Sequence, residues 1–238
     1  MRILFLCAIL CAAFAEKAQA AATLVQSKCY QGSGGEASHS MTFDSDTQSG
    51  SILMVFAATS GEALGVSGTT DSYTNSWTQV ALNPGANSET AIYYTTTTGR
   101  GASHLITVNP SGGNYIDMVI TEWTGLTISS GDAAATGSAT STLPLVSLSP
   151  SAAALVFGGM EHENGTITIT EDNTLICEDQ DGTDYPFSVS YRIVAAAGAT
   201  SLSWTLGGST LWRTSAVAFL EAAGGATAHN LATLGVGK

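Results

Sequence analysis

The chain carries little charge for its length. Only 7 of its 238 residues are Lys or Arg and 19 are Asp or Glu, so charged residues make up 11% of the sequence and hydrophobic residues 44%. A composition this apolar is not that of a disordered chain. The net charge of −12 repels phosphate backbones and anionic lipid, which excludes nucleic acid from the predicted partners.

Long hydrophobic runs are also scarce, and the one at the start has the features of a secretory signal. Arg2 precedes the apolar run Ile3–Phe14, which is too short to span a bilayer, and Ala18-Gln19-Ala20 fits the small-x-small cleavage rule. We therefore expect residues 1–20 to be a signal peptide. The mature chain, beginning at Ala21, is predicted to be secreted, with no membrane insertion after removal of the signal.

Cysteine is rare, with four in the chain. Cys7 and Cys11 lie in the predicted signal, and the large Leu10 disfavours lipid attachment at Cys11. Cys29 and Cys177 remain, and an even count in an exported chain predicts one disulfide between them. The alternative is two buried free thiols.

Strands rather than helices are predicted throughout the chain. No segment carries a helical apolar stripe over three turns, whereas short runs rich in Val, Ile, Thr and aromatic residues recur between turn residues. The stretches "IDMVITEW", "TITIT" and "SLSWTL" alternate with a period of two. This pattern predicts an all-β fold, an antiparallel two-sheet β-sandwich of jelly-roll type.

The two halves of the chain resemble each other over about residues 50–126 and 151–221. The stretch "YYTTTTGRGASHLITV" is echoed by "SYRIVAAAGATSLSWT", which aligns Tyr94 with Tyr191, and "ILMVFAA" is echoed by "AALVFGG". We expect an internal duplication of a motif of about four strands, so that the two copies together form one eight-stranded sandwich.

One β-sandwich domain is predicted over residues 21–222, because half a sandwich would leave its apolar face bare. Residues 223–238 are predicted to form a flexible C-terminal tail. The alternative is that His229–Lys238 docks on a neighbouring subunit or assembly, and a homo-oligomer is one of the predicted states.

Several stretches, taken in order, resemble a loosely defined group of exported or phage-encoded β-sandwich proteins. They are "TTDSYTNSWTQV", "AIYYTTT", "EWTGL" and "ALVFGG", between about residues 50 and 221. The resemblance implies a jelly-roll-like fold and a role at a cell or virion surface. It implies no catalytic residues.

An acidic stretch, "EDQDGTDY", follows Cys177 and contains no basic residue. Asp179, Asp181 and Asp184 are spaced like carboxylates in an acidic calcium turn, where glycine lets backbone carbonyls join the ion. The stretch lacks the closing Glu of an EF-hand loop. Calcium is therefore a candidate cofactor, and the alternative is a hydrated hairpin loop.

A second candidate site lies in the stretch "DSYTNSW". Asp71, Tyr73, Asn75 and Trp77 are the polar and stacking groups that a carbohydrate site uses. The alternative is a packed corner with an Asx-turn, in which the same residues hold the backbone.

A third candidate is the pair Glu161 and Glu163, which would share one face of a strand. Two carboxylates at a suitable separation perform glycoside hydrolysis. An Asn-Gly turn follows at once, which indicates a hairpin end rather than the floor of a cleft. We expect His162, between them, to be an exposed turn residue.

These observations predict a non-enzymatic structural module, with no catalytic residues, that acts in assembly or decoration at a cell or virion surface. Its partner would be protein, either itself or an assembly partner, or a glycan. The first alternative is a lectin-type carbohydrate-binding module that uses Trp77 and its neighbours. The second is a glycoside hydrolase that uses Glu161 and Glu163.

Overall fold

A computed structural model describes residues 21–32, 34–60, 66–97, 100–110, 115–127, 131–179 and 185–222. The regular elements of these ranges are sixteen strands and no helix, and hence no helix long and apolar enough to cross a membrane. The strands are β1 (Thr23–Tyr30), β2 (His39–Thr42), β3 (Ile52–Ser60), β4 (Val66–Asp71), β5 (Thr78–Asn83), β6 (Ser88–Thr96), β7 (Leu105–Pro110), β8 (Tyr115–Thr124), β9 (Ala133–Ser141), β10 (Leu145–Leu148), β11 (Ala154–His162), β12 (Ile169–Glu171), β13 (Thr174–Asp179), β14 (Phe187–Val194), β15 (Thr200–Leu206) and β16 (Thr210–Leu220).

The first eight strands form a complete two-sheet sandwich. A five-stranded sheet has the order β1-β8-β3-β6-β5, and a three-stranded sheet has the order β2-β7-β4. All pairs are antiparallel, and β1 with β8, β2 with β7 and β3 with β6 are nested pairs, as in a long hairpin rolled up on itself. This nesting is the jelly-roll arrangement, so the predicted fold class is confirmed.

The last eight strands repeat this topology. Their sheets have the orders β9-β16-β11-β14-β13 and β10-β15-β12, which are the orders of the first half with eight added to each strand number. The repeating unit therefore contains eight strands instead of the predicted four or so. The chain forms two eight-stranded sandwiches, not one, and descent from a duplicated sequence stays a prediction.

Three apolar cores separate four layers of sheet. The central core lies between the two five-stranded sheets and draws on both halves, for example on Phe56 and Trp123 of the first and on Phe157 and Phe219 of the second. A second core lies beneath the β2-β7-β4 sheet, and a third lies beneath the β10-β15-β12 sheet. The small sheets are therefore the outer layers.

Burial on both faces explains why some strands do not alternate in sequence. All nine residues of β3 are buried, because Met54 and Phe56 face the central core while Leu53 and Val55 face the second core. A strand covered on both faces reads as a continuous apolar run. The outer strand β15 alternates instead, as the period of two predicts.

The two halves meet through matching aromatic contacts. Tyr94 on β6 packs edge-on against Phe219 on β16, with ring centroids 5.0 Å apart, and Tyr191 on β14 packs edge-on against Trp123 on β8, also at 5.0 Å. Because β14 and β16 are the counterparts of β6 and β8, each half supplies the same pair of positions. The halves are thus related by an approximate two-fold axis, and the contact is of the isologous kind.

The predicted disulfide is confirmed, and it joins the two halves. Cys29 on β1 is bonded to Cys177 on β13, with Cα atoms 6.3 Å apart and a sequence separation of 148. The alternative of two free thiols is therefore wrong. The bond lies at the edge of the central layer, where edge strands of the two large sheets come together.

Candidate functional site

The four residues of the "DSYTNSW" candidate meet around the Asp71 carboxylate at the end of β4. Its Oδ1 atom accepts hydrogen bonds from the backbone N–H groups of Tyr73 (2.9 Å) and Asn75 (3.1 Å). Its Oδ2 atom accepts from Asn75 Nδ2 and from Trp77 Nε1, both at 2.9 Å. Asp71 therefore organises the turn that leads into β5, in the manner of an Asx-turn.

His104 belongs to the same cluster, although no sequence signal connects it with Asp71. It precedes β7, and the pairing of β7 with β4 brings its Nε2 atom to 3.4 Å from Asp71 Oδ2. Its Nδ1 atom lies 2.9 Å from the Oγ1 atom of Thr47. Neither the Asp71 nor the His104 side chain has exposed surface.

The Asp71 carboxylate, the His104 imidazole and the Thr47 hydroxyl thus lie in a row. In hydrolases, the same order of groups activates the hydroxyl by proton transfer to the imidazole. Thr47, however, is only 4% exposed, and its Oγ1 atom also accepts the backbone N–H of Gly101 at 3.3 Å. A substrate does not reach this hydroxyl in the structure. The row therefore ties the loop at Thr47 and the loop at Gly101 to β4.

The Asp71 carboxylate is ionised at neutral pH. Burial raises the pKa of Asp71, but hydrogen bonds from the side chain and backbone of Asn75, from Trp77 and from His104 outweigh this effect and hold the pKa below its usual value. These fixed hydrogen-bond donors stabilise the negative charge of Asp71.

Two turns with unusual backbone meet at this cluster. Thr74 has φ 58° and Ser103 has φ 56°, and among the described residues these are the only two non-glycine positions with positive φ. Such a conformation is rare for a β-branched residue such as threonine. The Tyr73 hydroxyl donates to Ala102 O at 2.9 Å, which joins one turn to the other.

Both aromatic candidates are half-buried. Trp77 packs against the second core and donates its indole N–H to Asp71, while Tyr73 packs edge-on against His104 at 4.8 Å. Only part of each ring is left for stacking on a ligand. The residues that the sequence groups together are therefore brought together, and a carbohydrate site here stays a prediction.

The acidic stretch lies only partly within the described residues. Asp179 is the last residue of β13 and pairs with Phe187, whereas Asp181 and Asp184 lie outside the described ranges. No group of three His, Cys, Asp or Glu side chains in the described part of the chain is arranged to hold a metal ion. Calcium binding by Asp179, Asp181 and Asp184 stays a prediction.

The expectation of an exposed turn at His162 is wrong. Strand β11 continues through His162, because β16 pairs with β11 as far as Trp212 opposite His162. The His162 side chain is fully buried, and burial lowers its pKa to about 4, so that the imidazole is neutral. Its Nδ1 atom accepts the backbone N–H of Asn164 at 3.4 Å.

The candidate pair Glu161 and Glu163 interacts electrostatically, although β11 ends at His162 and Glu163 lies just beyond it. Glu161 has no exposed surface, while Glu163 is partly exposed. Burial, followed by the charges of Asp117 and Glu163, raises the pKa of Glu161 well above its usual value, and Arg213 opposes this shift. A glycan does not reach Glu161 in this structure.

Glu122 on β8 is a further buried carboxylate. The sequence does not single it out, because Glu122 occupies one position in the regular alternation of a strand that is buried. Its Oε1 atom accepts from Gln48 N (2.6 Å) and Ser51 Oγ (2.7 Å), and its Oε2 atom accepts from Gln26 Nε2 (2.6 Å). Glu122 therefore fixes the loop before β3 onto β8 and β1.

Comparison with protein-family models, with curated proteins and with solved structures gives no significant match. The resemblance to exported or phage-encoded β-sandwich proteins therefore stays a prediction, and the function is argued from geometry alone.

Proposed function

We propose that the protein is a non-enzymatic structural module of an extracellular, cell or virion surface, which assembles with other protein through its outer sheets. The observation that carries this proposal is the back-to-back pairing of two sandwiches of the same topology, with a disulfide across the pair. A block of this kind presents two equivalent outer sheets on opposite sides. It can therefore bridge two neighbours and resist unfolding outside the cell.

The chemistry of the outer sheets supports contacts with protein. On the first outer sheet Thr70 and Ser40 flank Thr107, and the hydroxyls of Ser40 and Thr107 lie 2.8 Å apart. On the second, Thr170 lies beside Thr205. Because these five positions carry hydroxyls rather than charges, the net charge of −12 need not repel a second copy from them.

Export is part of the proposal. The predicted signal peptide and the Cys29–Cys177 bond are both compatible with an oxidising compartment outside the cytoplasm.

Sedimentation velocity of the disulfide-bonded mature chain over a wide concentration range tests the proposal. We expect assemblies that weaken in Thr70→Arg and in Thr170→Arg, since each variant puts a charge on one exposed outer face, on the corresponding strands β4 and β12. Thr23→Arg, at an exposed position of β1, is the matched control and should assemble normally. A wild-type protein that stays monomeric at all concentrations and binds no protein overturns the proposal.

A carbohydrate-binding function is the second candidate, favoured by the half-buried rings of Tyr73 and Trp77 beside the two strained turns. A glycan array separates the two functions. Binding that is lost in Tyr73→Ala, in a protein that does not assemble, would favour the lectin. Turnover of any glycan that is lost in Glu161→Gln would instead indicate the hydrolase.

A further inference from the structure

Glu161 lies in the layer between the two halves. It is near the end of β11, and its side chain points in the same direction as those of Leu155 and Phe157, which belong to the central core. The residue is fully buried. A glutamate in this layer faces the first half of the chain instead of solvent.

The Glu161 carboxyl has no hydrogen-bond partner among the described residues, and both of its oxygen atoms are buried. Glu122 is an internal comparison, because it is equally buried but receives three hydrogen bonds. A buried carboxylate without donors is costly, whereas the neutral acid costs much less.

Charged groups from both halves act on Glu161. Asp117, on β8 of the first half, is 3% exposed and accepts a hydrogen bond from Gly32 N at 3.0 Å. Glu163 acts from the same chain segment, and Arg213 acts from β16. Two of these three groups are acidic, and their charges oppose ionisation of Glu161.

Arg213 is engaged with the first half. Its Nε atom donates to Ser88 Oγ at 3.1 Å, and its Nη1 atom donates to Pro84 O at 3.2 Å. The guanidinium therefore links the two halves directly. Arg213 is also the cross-strand partner of Glu161, so its charge favours ionisation of Glu161, but its hydrogen bonds go to the first half.

We propose that Glu161 is a proton-controlled latch between the two halves, closed while its carboxyl is neutral and loosened when the carboxyl loses its proton to solvent. Ionisation puts a second negative charge near that of Asp117, at a position where no described residue donates a hydrogen bond to it. Opening the end of the interface formed by β8, β11 and β16 then becomes favourable, because water can hydrate the ionised Glu161 carboxylate.

The direction of the pH effect follows from the raised pKa of Glu161. A group whose pKa is higher in the folded than in the unfolded state contributes stability that is complete below the unfolded pKa. This contribution is lost as pH rises through the folded pKa. The latch is therefore closed in acid and loosens toward alkaline pH.

Hydrogen exchange of the disulfide-bonded mature chain, read by mass spectrometry and corrected for the intrinsic effect of pH, tests the latch. In the wild type we expect the opening of β8, β11 and β16 to increase with pH, by up to about tenfold per unit between the unfolded and folded pKa values. In Glu161→Gln this increase should be clearly reduced. Carbon-13 NMR of the glutamate carboxyls should also show one signal, absent from Glu161→Gln, that titrates above the usual glutamate range.

Glu122→Gln is the matched control, since it changes an equally buried glutamate that has its donors. It should destabilise the protein at neutral pH and keep the pH-dependent opening. If Glu161→Gln does not fold, Asp117→Asn removes the repulsion from the other half and should reduce the increase. An unchanged pH dependence in both variants, or a Glu161 carboxyl that titrates in the usual range, overturns the proposal.

Discussion

The ring of Phe56 occupies the space that a side chain on Gly159 would need. A Cβ atom on Gly159 would lie 2.7 Å from Phe56 Cε2, closer than real contacts allow. Strand pairing shows which positions of the two halves correspond. Met54 lies opposite Tyr94 in the first half, and Phe157 lies opposite Tyr191 in the second, so Met54 corresponds to Phe157. Gly159 is then the counterpart of Phe56, so this contact marks the approximate two-fold axis.

Gly159→Ala should therefore destabilise the interface between the halves. The added methyl forces Phe56 or the backbone to move, and overpacking of this kind costs about 1–3 kcal/mol. Chemical denaturation measures the loss. Gly208→Ala is the control, because its nearest neighbour would be the flexible end of Ile167 at 3.2 Å. Equal effects of the two substitutions would contradict this account of the axis.

Loss of the Cys29–Cys177 bond should lower stability strongly. The bond closes a loop with a sequence separation of 148 residues, and the chain-entropy model gives about 4–5 kcal/mol for a loop of that order. The double variant Cys29→Ser, Cys177→Ser should unfold at a much lower denaturant concentration than the wild type. Added reductant should shift the wild type but not the double variant, and a wild type insensitive to reductant would contradict the prediction.

Asp71→Asn should destabilise the first sandwich by about 1–3 kcal/mol. The substitution replaces one carboxylate oxygen by an amide N–H group, which cannot accept the hydrogen bonds that the surrounding N–H donors make with Asp71. Asp44→Asn is the control, since Asp44 forms an exposed ion pair with Lys28 at 2.8 Å and surface pairs contribute little.

The Asp71 site should also make the protein sensitive to acid. The pKa of Asp71 is lowered in the folded state, so its contribution is present above the unfolded pKa and is lost as pH falls through the folded pKa. Melting temperature measured from neutral to strongly acidic pH should fall less in Asp71→Asn than in the wild type. Parallel curves would contradict the assignment.

Glu171 should have the opposite pH dependence. Burial, and then the charge of Glu178, raises the pKa of Glu171 to about 8, while one of its oxygens accepts the Ser188 hydroxyl. Its stabilising contribution is complete below the usual glutamate pKa and is lost as pH rises toward about 8. In Glu171→Gln the melting temperature should change less between these limits. A wild type equally stable across this range would contradict the prediction.

The internal repeat illustrates how far sequence reasoning reaches. The alignment of Tyr94 with Tyr191 agrees with their matching contacts. The echo of "ILMVFAA" in "AALVFGG" instead aligns Phe56 with Phe157, two residues away from the structural equivalence. A shift of two residues keeps every side chain on the same face of a strand, so periodicity alone does not detect it.

The candidate sites show the same limit. The residues of the Asp71 turn are neighbours in sequence, and a local pattern identifies them. His104 and Thr47 join them only through strand pairing and loop packing, which are contacts between distant segments. The sequence does not reveal that His162 is buried, because an Asn-Gly turn signal marks where a hairpin ends but not which layers cover it.

The sequence by itself determined the all-β class and the similarity of its halves, and it predicted the pairing of Cys29 with Cys177, because strand periodicity, repetition and cysteine count are properties that can be read along the chain. Only the tertiary structure decided that each half closes into its own sandwich and that the two large sheets meet face to face. It also decided that Glu161 is buried with no hydrogen-bond partner among the described residues, while Glu122 receives three hydrogen bonds. These outcomes depend on which apolar sheet faces pack against each other. That packing involves segments far apart in sequence.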